Sequence, residues 1–156
     1  MNEISIRKAT LDDLEQLLVF EQALIKAERP FDPTVKPDPV NYYDLKAMLT
    51  SSHIHVVIGD INKEVIASGY VRIDKSKPFL KHSHHGYLGF MYVLPEQRGK
   101  GFNKLIMDEL KKWAAAQGIT EFRLEVYYGN DSAIKAYEKI GFSRYSLEMR
   151  FNLEDK

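Results

Sequence analysis

The segment Val93-Leu94-Pro95-Glu96-Gln97-Arg98-Gly99-Lys100-Gly101-Phe102-Asn103 carries the clearest chemistry in the chain. Two glycines, one residue apart, allow a tight turn and the close approach of a ligand to the backbone. A helix beginning at Phe102 presents unpaired N–H groups and the positive end of its dipole. Arg98 and Lys100 add positive charge. Together these features make an anion site, most naturally one for phosphate. The segment is not a Walker A loop, because G-x-x-x-x-G-K-[ST] is absent. It is not a dinucleotide fingerprint either, since Lys104 stands where the third glycine belongs.

A second segment, Asn130 to Phe142 (NDSAIKAYEKIGF), reads as a capped helix. Asn130 or Asp131 starts it, Ile140 ends it and Gly141 is its C′ residue. Helical spacing places Asn130, Ala133 or Ile134, and Tyr137 on one face, with a phenol two turns from the N-terminus. Alone, Tyr137 reads first as a half-buried aromatic with a satisfied hydroxyl.

Read as a pair, the two segments resemble the GNAT superfamily of acyl-CoA-dependent N-acetyltransferases. The first is similar to the family's pyrophosphate loop, R-G-x-G-x-[GA], here Arg98-Gly99-Lys100-Gly101-Phe102-Asn103. The second matches N-x-x-A-x-x-x-Y-x-x-x-G-F through Asn130, Ala133, Tyr137, Gly141 and Phe142. One departure is Asn103, a branched polar residue where the family has Gly or Ala. The resemblance covers residues 85–145 strongly. It implies that strands at Tyr87–Val93 and Phe122–Tyr128 splay apart. The pantetheine arm of acetyl-CoA would enter the gap and pair with backbone at Met91 and Val93, as an added strand would. Residues 98–103 would hold the pyrophosphate. Asn130 would line the pantetheine or a water, and Tyr137 would reach the thioester sulfur.

The implied reaction has two proton problems. A primary amine of pKa near 10.4 is protonated at pH 7, and freeing it costs about 4.6 kcal/mol unless the site helps. A departing thiolate belongs to a thiol of pKa about 8.5, below a phenol near 10, so full proton donation from Tyr137 is uphill by roughly 2 kcal/mol. Tyr137 therefore helps mainly as a hydrogen-bond donor to the sulfur. A backbone N–H near Val93 would polarise the thioester carbonyl. With no cysteine in the chain, the resemblance implies direct attack of the amine in a ternary complex. The central strand carries no carboxylate. His84, His85 and Glu125 are the candidates for the base, directly or through water. His82, His84 and His85 have no nearby carboxylate and read as solvated, not as a metal site. By resemblance the acceptor meets the first helix and the loop after it. There Glu28, Phe31 and Asp32 offer acid and aromatic groups to a cationic amine, from a small molecule or a peptide.

Ile4–Ala9 alternates as a short strand, and Thr10 with Asp13 forms a near capping box. Leu11, Leu14, Leu18 and Ile25, widened by Leu17 and Leu24, predict a helix over 11–28. Residues 29–40 hold four prolines and cannot be helix interior. A second helix is expected over Tyr42–Leu49. A hairpin follows, His53–Asp60 and Glu64–Ile73 joined by Ile61-Asn62-Lys63. Residues 74–86 read as a loop, and Tyr87–Val93 as a strand covered on both faces. A helix over Phe102–Gln117 buries Ile106, Leu110, Trp113 and Ala114 and closes at Gly118. Strands are expected at Phe122–Tyr128 and Ser143–Leu153. The order β-α-α-β-β-β-α-β-α-β predicts an α/β fold, a mixed sheet with helices on both faces, in one GNAT-like domain over 1–156.

Composition agrees with one globular unit. The 156 residues carry 22 Lys plus Arg against 22 Asp plus Glu, so bulk charge favours neither nucleic acid nor an anionic membrane. Absence of cysteine excludes a disulfide scaffold, a Cys zinc site and an acyl-cysteine mechanism. No apolar run is long enough to span a bilayer, and the N-terminus lacks a signal-peptide layout, which favours the cytoplasm. A homodimer is compatible with the sequence. The expectation is an acetyl-CoA-dependent N-acetyltransferase that uses no metal. Its rivals are a non-catalytic acyl-CoA-binding sensor or subunit and a nucleotide-binding regulator. Tyr137 favours the enzyme, because binding alone does not need a phenol at the sulfur.

Overall fold

The computed structural model describes residues 3–155. They divide into two compact units, with the boundary after Glu125. The first unit is built on a five-stranded sheet ordered β1-β2-β3-β4-β5. Its strands are β1 (Ser5–Lys8), β2 (Ile54–Ile61), β3 (Glu64–Lys75), β4 (His84–Val93) and β5 (Phe122–Arg123). The first four pair antiparallel, and β5 joins β4 in parallel. This is the expected mixed α/β sheet.

Helices lie on both faces of that sheet. On one, α1 (Leu14–Glu28) and α2 (Leu45–Thr50) bury Leu17, Phe20, Leu45 and Leu49 against Val56, Ile58, Tyr70, Phe90 and Tyr92. On the other, α3 (Phe102–Ala115) buries Ile106, Met107, Leu110 and Ala114. There a Cβ on Gly69 would fall 2.6 Å from Ile106, so the helix packs against the bare strand backbone. Trp113, expected in the same face, stacks on the His55 ring at 4.9 Å.

Several local rules hold as read. Thr10 and Asp13 make the capping box, which opens a short 3-10 turn at Leu11–Asp13 before α1. Asn62 and Lys63 both have positive φ, the geometry of a two-residue hairpin turn. Gly118 follows α3 with φ 85.

Other expectations need correction. The buried stripe of α1 is Leu17, Phe20, Glu21 and Ile25, whereas Leu11 and Leu18 are 50% and 40% exposed. The 3-10 turn changes the phase, so Leu11 does not share the α-helical face that its spacing suggested. The second helix starts at Leu45, not Tyr42. The N–H groups of Tyr42 and Tyr43 are taken by the buried Glu21 carboxylate, at 2.9 and 2.8 Å, and Asp44 caps the helix through the Ala47 N–H. Strand pairing claims both ends of the expected 74–86 loop, leaving 76–83 between β3 and β4. The fifth strand covers only Phe122–Arg123, not Phe122–Tyr128.

The second unit holds α4 (Asp131–Lys139), with Asn130 as its N-cap and Gly141 at φ 107 beyond its end. The strand expected at Ser143–Leu153 is not formed. Its alternating pattern has no strand within that unit to pair with, and a pattern without a ladder partner does not make a strand. Among the described residues, no helix is long and apolar enough to cross a membrane.

Candidate functional site

The site in the first unit starts from an irregularity in β4. Ser68 of β3 pairs with Tyr92, but Tyr70 pairs with Gly89, so Gly69 faces both Phe90 and Met91. This is a β-bulge. Phe90 takes φ +54, a left-handed conformation that a bulky side chain rarely adopts. The Leu94 N–H bonds the Ile66 carbonyl, at 2.9 Å. Alternation then turns the Tyr92 amide toward β3 and those of Met91 and Val93 toward the opposite edge. On that edge β5 pairs with β4 only at Gly86 and Tyr87. Beyond Tyr87 the ladder with β5 stops, as the expected splay requires.

This edge runs into a short 3-10 turn, Pro95–Gln97, and then the glycine loop. Gly99 and Gly101 both have left-handed φ, 78 and 81, and a Cβ at either would meet nothing within 4 Å. The loop thus needs glycine for its backbone torsions, not for room. Gly101 is the N-cap of α3 and supplies no side-chain acceptor, so the first amides of the helix are left for an anion. Lys100 is tied to Gln97, at 2.9 Å. Arg98 Nε donates to the Val93 carbonyl at 2.8 Å, and its guanidinium lies 5.4 Å from the centre of the Tyr92 ring. Arg98 therefore locks the loop to the end of β4 as well as charging it. Phe102 and Asn103 occupy the first two helical positions and are half-buried.

Beside the bulge, on the α1 face, runs a polar row, or trough, of side chains on β3 and β4. Strand alternation sets Tyr70, Arg72 and Asp74 of β3 in a row, paired with Gly89, Tyr87 and His85 of β4. Arg72 holds Asp74 through two bonds, 2.6 and 3.0 Å, and lies 5.0 Å from the Tyr87 ring centre. Tyr43 meets Tyr70 and Phe90 at 5.8 and 5.1 Å between centroids. Glu28 ends α1 and is half-buried. Burial raises its carboxyl above the usual range; a hydrogen bond from Tyr42 opposes this, and the nearby Asp32 charge adds to it. Asp32 accepts from the Thr34 N–H at 2.9 Å, and Phe31 is 38% exposed.

His85 Nδ1 lies 2.8 Å from the Ser76 hydroxyl. Burial lowers its pKa, against the pull of Asp74, so the ring is neutral near pH 7. His84, its neighbour, is exposed and pairs with Ser83. Glu125 follows β5, and its charge is felt by Tyr87, whose phenol burial and that charge push up to about 12. Among the described residues, no group of His, Asp and Glu is arranged to hold a metal ion.

In the second unit, the Asn130 side-chain oxygen accepts from the Ala133 N–H and the Ser132 hydroxyl, both at 3.3 Å. The Tyr137 ring meets Phe142 edge-on at 5.9 Å. Met91, Val93 and residues 98–103 thus form one continuous stretch of the first unit; Glu28 and Glu125 act electrostatically on Tyr43 and Tyr87, His85 pairs with Asp74, and Asp32 acts on Glu28. Sequence reasoning missed Tyr43, Tyr70, Arg72, Asp74 and Tyr87. Their one signal was the alternation Tyr70-x-Arg72-x-Asp74, which puts polar groups on one face of a strand that starts as core.

A mixed sheet with a bulged, half-unpaired strand leading into a glycine-bracketed helix N-terminus defines an α/β class of fold with a strand edge and an anion-type loop side by side. Residues 21–142 match the model of the acetyltransferase (GNAT) family, and this chain belongs to that family. Among curated proteins, it is similar to a mycothiol acetyltransferase of Gordonia bronchialis, 31% identical over 44% of this chain and 23% of that protein. It is also similar to an acetyltransferase of Yersinia pestis, 32% identical over 38% of this chain and 42% of the relative. The chain thus spans less than half the length of these curated relatives. Its fold is similar to the BH1408 protein of Bacillus halodurans, a tetramutant, at TM-score 0.82 and 19% identity over 96% of this chain and 99% of the other. It is also similar to a predicted acetyltransferase of Clostridium acetobutylicum solved with acetyl-CoA (TM-score 0.73, 22% identity, 97% of each chain). A third similar structure is aminoglycoside N-acetyltransferase AAC(6')-Iy in complex with CoA (TM-score 0.75, 18% identity, 99% and 97% of the two chains).

Proposed function

We propose that this chain, acting as one GNAT-like domain over 1–156, moves an acetyl group from acetyl-CoA to an amine. The observation that carries the reading is the open edge of β4 leading directly into the glycine loop and the uncapped start of α3. A strand edge of free amides suits the pantetheine arm, and left-handed glycines before a helix suit its pyrophosphate. The residues of the first unit suit the group: Met91 and Val93 for the arm, Arg98 to Asn103 for the phosphates. Since the Val93 carbonyl already accepts from Arg98, its N–H is the better partner.

The Met91 N–H, turned to the open edge, polarises the thioester carbonyl as charge builds on its oxygen. Tyr137 donates a hydrogen bond to the departing sulfur. Glu28, Asp32 and Glu125 draw a cationic acceptor into the trough, and Phe31 covers it. His85, held neutral, takes the proton that the amine must lose, directly or through water. The amine then attacks in a ternary complex, without an acyl-enzyme. A similar fold named as an aminoglycoside acetyltransferase supports an amine acceptor, and a cytoplasmic setting suits the co-substrate.

The test is calorimetric titration with acetyl-CoA, followed by thiol detection over polyamines, amino acids, aminoglycosides and peptides. Binding with turnover on one amine class is expected. Binding without turnover on any of them would favour an acyl-CoA sensor, and no binding at millimolar acetyl-CoA would end the reading.

A further inference from the structure

The β4 bulge is held by two side chains that the reaction described above does not use. Phe90 is 2% exposed and keeps a left-handed torsion that costs a non-glycine residue free energy unless its surroundings fix it. Its carbonyl accepts from the Ser68 hydroxyl at 3.0 Å, and Ser68 is completely buried. Its amide N–H faces the phenol oxygen of Tyr43, whose ring lies 5.1 Å from the Phe90 ring. The carbonyl of the strained residue is therefore bonded by a side chain instead of by the ladder, and its N–H faces another. Ser68 is otherwise out of place, a hydroxyl within the core run Ile66-Ala67-Ser68-Gly69-Tyr70-Val71. Buried polar groups persist where they are bonded, and this one is bonded to the bulge.

The bulge also sets the direction of the amides beyond it. Without the extra residue, alternation would turn the Met91 amide toward β3 and the Tyr92 amide toward the open edge. With it, Met91 faces that edge and Tyr92 faces β3.

We propose that Ser68 and Tyr43 are positioning residues for acetyl transfer, clamping the Phe90 peptide from its two sides so that the Met91 N–H is aimed at the thioester carbonyl. This rests on the acetyl-CoA reading given above. The fully buried Ser68 touches neither acetyl-CoA nor the amine, whereas Tyr43 also borders the trough. The clamp acts through the direction of one amide, and a misdirected donor loses its effect on the transition state much more than on binding.

The experiment compares wild type with Ser68→Ala, Ser68→Thr and Tyr43→Phe. Each is titrated with CoA and acetyl-CoA, and the isotope-edited infrared stretch of the bound thioester carbonyl is recorded with steady-state kinetics. In the wild type the stretch falls to lower frequency on binding, because the carbonyl is polarised. In Ser68→Ala it returns toward the free value and kcat drops about ten- to hundredfold, with CoA affinity and the acceptor KM close to wild type. Ser68→Thr, which keeps the hydroxyl, recovers much of both. Tyr43→Phe moves the carbonyl stretch and kcat the same way, and reports on the clamp if the Ser68 variants fail to fold. A folded Ser68→Ala or Tyr43→Phe protein with the wild-type carbonyl frequency would overturn the proposal while leaving acetyl-CoA binding intact. A wild-type protein that binds no acetyl-CoA would instead sink the underlying reading, and this inference with it.

Discussion

The Phe142 amide donates to the Tyr137 carbonyl at 3.1 Å, and the rings of the same two residues meet edge-on at 5.9 Å. With the Gly141 N–H bonded to the Glu138 carbonyl at 3.1 Å, this is a Schellman end, complete with its apolar contact. Asn130 caps the other end through the Ala133 N–H. The spacing Asn-x-x-Ala-x-x-x-Tyr-x-x-x-Gly-Phe is thus first a distance between two caps, and the helix they bound carries the Tyr137 phenol. Replacing Gly141 by Ala forces a side chain into φ 107 and is expected to cost about 1–2 kcal/mol. Asn130→Ala is expected to cost about 1 kcal/mol. Because the two caps share no partner, the double variant should show the sum to within about 0.5 kcal/mol in denaturant melts.

Removing the Tyr137 hydroxyl leaves this ring contact in place. Tyr137→Phe should bind acetyl-CoA as well as the wild type does. We expect kcat to fall about 10- to 150-fold, the worth of one hydrogen bond to a charged sulfur. An unchanged kcat on a confirmed acceptor would leave Tyr137 a packing residue.

Arg98 joins two tasks, so its substitutions should separate them. Arg98→Ala loses the bond to the Val93 carbonyl and the positive charge, and CoA affinity should drop about 10- to 150-fold. Pantetheine lacks the pyrophosphate, and its weaker binding should change much less. Equal losses for the two ligands would show that Arg98 acts on the end of β4 alone.

Glu28→Gln keeps the shape of the trough and removes one negative charge. The KM of a cationic acceptor should rise about tenfold, in the range of a charged hydrogen bond, with the KM of acetyl-CoA unmoved. The raised carboxyl of Glu28 also means that acceptor affinity declines with acid at a higher pH than for an ordinary carboxylate. An acid limb that stays in place in Glu28→Gln would assign that limb to another group.

His55 gives a pH test of stability away from the trough. It is 7% exposed, stacks on Trp113 and lies 3.7 Å from Glu109. Burial lowers its pKa more than Glu109 raises it, and the nearby Lys8 charge lowers it further. The unfolded chain, with an ordinary histidine near 6.5, then binds the proton more readily than the folded one. Stability is full above that value and lost as pH falls through it. His85 is depressed in the same direction and adds to the slope. The melting temperature should drop between pH 7.5 and pH 5.5, and His55→Gln should flatten part of that drop. A slope identical in His55→Gln would exclude His55 as its source.

The parts of this molecule legible in the sequence are those set by local chemistry. Thr10 and Asp13, Asn62-Lys63, Gly99 and Gly101, Asn130 and Gly141 all act within a few residues of themselves, so residue type and spacing revealed them. What was illegible depends on partners far along the chain. Tyr87–Val93 reads as an unbroken apolar strand, and nothing in it marks Phe90 as left-handed. The side chains that meet the bulge, Ser68 and Tyr43, reach it from 22 and 47 residues away. Glu21 is an acidic residue outside the leucine stripe of α1, yet its carboxylate is buried to receive the Tyr42 and Tyr43 amides. The alternation of Ser143–Leu153 was legible, but a strand also needs a neighbour, and no pattern within the segment supplies one.

The Glu21 carboxylate acts as a bolt between α1 and the start of the segment leading into α2. It fixes the tyrosines at the floor of the trough to the helix that carries Glu28, so floor and acidic wall cannot be exchanged independently. Residues 32–40 lie between these anchored points, rich in proline and mostly exposed. Acceptor choice is therefore modular along this rim. Rewriting residues 32–40 should retune which amine is admitted, while the bolt, the bulge and the phosphate loop stay as they are.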